Sequence, residues 1–254
     1  MTGLPVPVLA ALAAVGFAGG VGITALGPGG VLPTIGLFAL TGLSPAQVAG
    51  TALVTHVATG ALATAAYTRS GQLRAPGTRR TALLLAATAV AGTPAGVLLN
   101  TAVSARAFGL VLAVLVAAAA VLVRVRDRRP PETGPAHPST AVVTCLGLGI
   151  SAASGLVGIG GPMLTVPLLV ALGTPVLESL AAAQAQSVVI ATVGTFGYVA
   201  HGTVDWPLAV LVGVPELAGV LLGWRIAHAL PARHLKTALV LTLLALAPYL
   251  ALHG

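Results

Sequence analysis

The stretch GLVGIGGPMLTVPLL, residues 155–169, holds four glycines and two prolines, yet no Asp, Glu, Lys or Arg occurs from Ser139 to Leu177. Glycine and proline are poor interior residues for a helix in water. Their place in the most apolar territory of the chain decides how the rest is read. The 254 residues are 57% hydrophobic and only 7% charged, against roughly 25% charged in soluble domains. Residues 1–68 carry no Asp, Glu, Lys or Arg at all. Such a chain is an integral membrane protein, with the lipid bilayer as its surroundings. The net charge of +7 invites a nucleic-acid reading, but eleven of the twelve basic residues fall in three short loops. They signal topology, and no nucleic-acid partner is expected. The single cysteine, Cys145, lies in an apolar segment, so neither a disulfide framework nor a metal cluster is expected. The opening MTGLPVPVLAALAAVG lacks a basic flank and reads as the first membrane segment, not a cleaved signal peptide.

A helix needs about 20 apolar residues to cross the hydrocarbon. Crossings are expected at Pro45–Tyr67, Thr81–Leu99, Ala107–Val123, Ser179–Ala200, Pro207–Trp224 and Thr237–Leu252. Two stretches, 5–42 and 139–173, are too long for one crossing and are broken near the centre by glycine and proline. Each is two short crossings or a broken, re-entrant pair. Both options use an even number of passes, so sidedness does not depend on the choice. The loops holding Arg69, Arg74, Arg79 and Arg80, then Arg124, Arg126, Arg128 and Arg129, then Arg225, Arg233 and Lys236 all fall on one face. Only Arg106 lies opposite, a bias that makes the basic face cytoplasmic. The expectation is a multi-pass protein of the inner (plasma) membrane with both termini outside.

A shift of 131 residues places Gly27, Gly29 and Gly30 on Gly158, Gly160 and Gly161. The same shift places Thr34 on Thr165, Gly42 on Gly173, Tyr67 on Tyr198 and Gly71 on Gly202. Farther on, with a shorter loop, LAGVLLG (217–223) matches PAGVLLN (94–100). The loop after Tyr67 is basic, whereas the loop after Tyr198 has no Lys or Arg and carries Asp205. Equivalent loops thus face opposite sides. The fold class expected is an all-α integral membrane protein built as two inverted-topology repeats of four to five hydrophobic segments each. The first repeat takes residues 1–123, a cytoplasmic linker 124–138, and the second repeat 139–254.

An unpaired backbone amide in lipid costs several kcal/mol, so a helix break is tolerated where it is buried or lines a wet cavity. Two breaks at matching places in inverted halves should meet near the midplane. Helix N-termini there present N–H groups and a positive dipole end, suited to an anion. The paired runs at Gly27, Gly29 and Gly30 and at Gly158, Gly160 and Gly161 are therefore candidate substrate contacts. Close helix packing is the competing account, and it is the reading given to Gly92, Gly96, Gly219 and Gly223.

At these residues the chain resembles the TauE/SafE family of sulfite exporter-like permeases. That pattern pairs a glycine run followed by P-x-L with a later A-x-x-T-S element, once in each half. The chain shows GPGGVLPTIGL with AGTAL in the first half, and GIGGPMLTVPLL with a Tyr-x-x-x-Gly-x-Val-Asp-Trp run at 198–206 in the second. Val31 and Pro162 stand where the third glycine falls, Thr51-Ala52 where the Thr-Ser pair falls, and Ala182-Ala183 at the same place in the second half. The resemblance covers essentially the whole chain. It implies secondary transport of a small anion, such as a sulfur oxyanion or organosulfonate, with no cofactor and no ATP hydrolysis.

Polar residues inside the apolar segments complete the candidates. Thr34 and Thr165 follow the glycine runs. Thr51, Thr55 and His56 lie mid-segment in the first half, with Gln184, Gln186 and Ser187 at equivalent depth in the second. All can hydrogen-bond an oxyanion that has left water; bonds to neighbouring helices or to their own backbone are the alternative. His56 can titrate, and Glu216 sits nine residues past the start of its segment, where a carboxylate is costly. Both are candidates for coupling a proton. Glu178 reads as a helix-dipole partner, and Tyr67, Tyr198 and Trp206 as interfacial anchors. No metal site is expected, and the motifs of hydrolases and metalloproteases are absent, so the chain is not read as an enzyme. An anion channel, or a permease for a carboxylate or a metal ion, remains an alternative, and a homodimer stays open.

Overall fold

The structure is a computed structural model that describes residues 3–127 and 138–231 together with His234, Thr237 and Leu241. The expected crossing at Thr237–Leu252 and most of the linker at 124–138 lie outside the described residues. The helices are α1 (Val6–Ala25), α2 (Val31–Leu40), α3 (Pro45–Arg69), α4 (Pro76–Asn100), α5 (Ala105–Asp127), α6 (Thr140–Val157), α7 (Pro162–Ala171), α8 (Val176–Ala200) and α9 (Trp206–Ala229). Their starts are local in origin. Proline occupies the first turn of α1, α3, α4, α7 and α9, where its missing N–H costs nothing. Ser44 and Gln47 form a capping box at α3, and Asp205 accepts from Leu208 N–H at α9.

Among the described residues six helices, α1, α3, α4, α6, α8 and α9, are long and apolar enough to cross a membrane. The surface is inverted relative to a soluble protein. Phe196, Val210 and Val214 are 74%, 62% and 62% exposed, whereas His56, Gln184, Gln186 and Glu216 are each 0% exposed. A lipid solvent produces this arrangement, because only the interior can satisfy polar groups.

The two long stretches each resolve into one full-length helix followed by a half-length one. At 10 residues, α2 and α7 extend about 15 Å, half the hydrocarbon thickness, so a pair of short crossings is ruled out. In the first hairpin the arms are antiparallel and touch at small residues: Gly22 meets Gly29, Gly19 meets Pro33 and Gly36 meets Val15. Boundaries elsewhere shift by a few residues. α4 opens at Pro76, so Arg79 and Arg80 stand in its first turn, and α5 runs on to Asp127, into the expected linker.

The 131-residue shift carries α2 onto α7 and α3 onto α8, end to end. Gly50 lies on Tyr198, Leu53 on Gly194 and Gly60 on Val188. These pairings run in opposite directions along the chain, so the repeat-mate helices α3 and α8 are antiparallel, as an inverted repeat requires. The outer seams are also symmetric. α1 lies along α9, where Cβ atoms on Gly20 and Gly219 would come within 2.0 Å of Glu216 O and 2.2 Å of Phe17 O. α6 lies along α4, where a Cβ on Gly96 would come within 2.0 Å of Ala152 O. Only glycine permits such backbone approach, so Gly92, Gly96, Gly219 and Gly223 are packing residues.

Tyr67 and Tyr198 correct an expectation. They are 0% and 1% exposed, not interfacial anchors. Tyr67 donates to Thr24 O at 2.6 Å and Tyr198 to Gly155 O at 2.8 Å. The last carbonyls of a helix have no partner within it. Where α1 and α6 stop inside the protein, the two tyrosines supply that partner. Trp206, 53% exposed at the start of α9, keeps its place at the surface.

Candidate functional site

Both breaks turn on left-handed glycines: Gly27 at φ 105°, Gly158 at 74° and Gly160 at 67°. L-residues with a Cβ avoid this region. The two breaks meet. A Cβ on Gly30 would lie 3.1 Å from Ile159 O, and one on Gly27 would lie 3.1 Å from Pro162 O. His56 stands between them. A Cβ on Gly30 would be 3.1 Å from His56 Nε2, and one on Gly160 would be 3.3 Å from His56 Cδ2 and 3.1 Å from Ser187 Oγ. His56 and Ser187 are each twelfth in a 25-residue helix. The meeting point is therefore at mid-length of the two central helices.

His56 is held by Ala52 O, 2.6 Å from Nδ1. Its other nitrogen, Nε2, lies 3.6 Å from Glu216 Oε1, and both side chains are fully buried. The residues come from α3 and α9, and the sequence offers no signal that they touch. Thr55 packs against Gly213 of α9 and donates to Ala52 O.

The other candidates divide into two groups. Several bind the breaks themselves: Thr34 donates to Gly158 O at 2.9 Å across the two halves, and Gln184 Nε2 donates to Ile23 O at 2.8 Å. Thr165 donates to Gln186 Oε1 at 2.5 Å, and Gln186 Nε2 donates to Ser151 Oγ at 3.2 Å. Ser154 donates to Gly160 O at 2.8 Å. Ser151 and Ser154 were missed in the sequence. Their three-residue spacing on the helix leading into the second break was the available signal. The second group keeps unpaired polar atoms although buried: His56 Nε2, Ser187 Oγ, Gln184 Oε1 and both carboxylate oxygens of Glu216. Buried polar atoms are ordinarily paired, so this cluster is poised for a partner. Thr51 is not in it. Thr51 Oγ1 accepts from Asp205 N–H at 3.0 Å and ties the α8–α9 loop to α3.

Glu178 receives a hydrogen bond from Thr78 at 2.7 Å in the first turn of α8. Two cavities at the surface, about 410 Å³ lined by Arg74, Arg79 and Arg80 among others and about 230 Å³ beside Arg69 and Trp224, share no residue with the buried cluster. No group of three or more His, Cys, Asp or Glu suited to a metal ion occurs among the described residues.

Six helices among the described residues that are long and apolar enough to span a bilayer, two interrupted hairpins and a buried polar cluster where they meet define a polytopic helical membrane protein. The profile of the family described as sulfite exporter TauE/SafE matches residues 12–250. The chain belongs to that family, whose members are membrane exporters or permeases for sulfite or related anions. No curated protein and no solved structure matches the chain.

Proposed function

We propose that the chain is a secondary transporter of a small anion, a sulfur oxyanion or organosulfonate, working by alternating access and driven by a proton gradient. The observation that carries this reading is the closure of both glycine breaks, one from each half, on His56. The chemistry supports an anion. The dipoles of α2 and α7 put their positive ends at the junction, and His56 supplies an imidazole there that can carry positive charge. Every side chain in the cluster is buried. A solute then reaches it only after the halves, 1–123 and 139–254, part on one side or the other. That requirement favours a transporter over an open channel, and Glu216 is the single carboxylate among the described residues of the cluster, fewer acidic ligands than a metal-ion permease would need. Arginine-bearing loops on the cytoplasmic face of the inner membrane, and termini outside, complete the proposal.

The test is uptake of labelled sulfite or taurine into proteoliposomes under an imposed pH gradient. Accumulation above the equilibrium level that collapses with the gradient supports the reading. Flux that never exceeds the solute's own gradient means a channel, and stabilisation by metal cations alone means a different substrate.

A further inference from the structure

The charges at the buried cluster can be counted, and the count limits what enters. His56 Nδ1 is 2.6 Å from Ala52 O. A carbonyl oxygen only accepts, so Nδ1 carries a proton and donates it. Nε2 then faces Glu216 Oε1 across 3.6 Å, and neither Nε2 nor either carboxylate oxygen has a hydrogen-bond partner. Two bare lone pairs would repel across that gap. The pair therefore holds one further proton, on the imidazole or on the carboxyl, and is neutral overall in either placement.

Among the described residues no other charge is close enough to alter this balance. α1, α2 and α7 contribute no titratable side chain, and α6 contributes only the exposed Cys145. The remaining titratable groups on the packed helices are Tyr67 and Arg69 on α3, Glu178 and Tyr198 on α8, and Arg225 and His228 on α9. Tyr67 is eleven residues beyond His56 and Arg225 nine beyond Glu216, or about 13–16 Å along the helix axis. At the positions matching His56 and Glu216 the opposite half places no cation. The repeat mate of His56 is Ser187, and that of Glu216, under the LAGVLLG–PAGVLLN match, is Thr93. Both carry hydroxyls that are fully buried and unpaired.

A dehydrated site tolerates no net charge without a large desolvation cost. One anion added to the neutral pair leaves a net negative charge. One proton added with it restores balance: the imidazolium faces the solute and the carboxyl of Glu216 is neutral. We infer that the site admits a monoanion together with one proton, so that His56 Nε2 and the Glu216 carboxyl are both protonated while the solute is bound. The inference rests on the anion-transport reading and narrows it. As the solute enters, the proton moves from solution to whichever of His56 Nε2 and the Glu216 carboxyl lacks one. It leaves on the side where the solute leaves, and the pair closes again. Hydrogensulfite and singly charged organosulfonates fit; sulfate, a dianion, would need a second compensating charge that the site does not have.

The experiment uses the full chain purified in detergent. Thermal shifts are recorded with methanesulfonate and with sulfate at equal ionic strength, and proton uptake is followed in weakly buffered solution. Methanesulfonate should stabilise at a concentration at least about tenfold below that needed for sulfate. Uptake of about one proton per bound anion should accompany it. His56→Gln, which removes the group that would carry the charge facing the solute, should bind methanesulfonate at least about tenfold more weakly and take up no proton. Equal stabilisation by sulfate, wild-type binding without proton uptake, or uptake that persists in His56→Gln overturns the inference. If the variant does not fold, the two wild-type measurements still decide. Failure of every anion to bind removes the transport reading itself, whereas anion binding without proton uptake removes only this step.

Discussion

In the first break Gly27 reverses the chain at φ 105° and Pro28–Gly30 continue as a 3-10 turn, whereas in the second both Gly158 and Gly160 are left-handed and the chain passes directly into α7. The first break leans on its own hairpin at Gly29, where a Cβ would come within 2.3 Å of Gly22 Cα, and reaches His56 at Gly30. The second leans on the other elements, with Gly158 against Ala49 of α3, Gly160 against His56 and Ser187, and Gly161 against Gln186. Thr34 and Thr165 are repeat mates, yet Thr34 binds the opposite break at Gly158 O while Thr165 binds Gln186. A duplicated motif has become a scaffold in one half and a polar wall in the other. The difference follows from neighbours, since the glycine runs themselves are nearly alike.

Substitutions at matched positions test that contrast. The largest effect is expected at the glycines. Gly160→Leu, at a left-handed position beside His56 and Ser187, should reduce transport to background while the protein still inserts and extracts as a single species. Gly29→Leu should instead prevent accumulation of folded protein, because the α1–α2 seam has no room. Uptake normalised to the monodisperse fraction measures both, and normal transport by Gly160→Leu would move the site elsewhere.

Next in size are His56 and its mate. His56→Ala strands a buried carboxylate and should lower stability by about 3–5 kcal/mol. Ser187→Ala removes a hydroxyl that has no partner and should cost less than about 1 kcal/mol. Equal losses in denaturant unfolding would contradict the buried pair. A smaller contrast is expected at the threonines. Thr34→Val leaves Gly158 O unpaired, for about 1–3 kcal/mol, and Thr165→Val should cost less because Gln186 retains Ser151. The smallest effect is expected at Asp205→Ala, which removes the α9 cap for about 1 kcal/mol and should leave transport unchanged.

Much of this arrangement is legible in the residue order. The run without charge from Ser139 to Leu177, the arginine bias and the 131-residue repeat lead to a helical membrane protein with paired breaks. The tyrosines were misread because an aromatic near a helix end looks the same whether it faces headgroups or a freed carbonyl. Thr51 was placed with His56 on sequence proximity, but five residues along a helix put it at another level, under the α8–α9 loop. The roles of Ser151 and Ser154 depend on the course of the chain beyond α6, which local pattern does not contain.

The sequence by itself determined the solvent, the segment lengths and the places where helices must stop, because these follow from transfer energies and backbone sterics that act residue by residue. Only the tertiary structure decided that His56 and Glu216, 160 positions apart in the chain, lie 3.6 Å from each other. It alone decided how each break meets the polar cluster. Those outcomes depend on how α1 seats along α9 and α3 crosses α8, and close approach of that kind is set by the shapes of surfaces that exist only once the chain is folded.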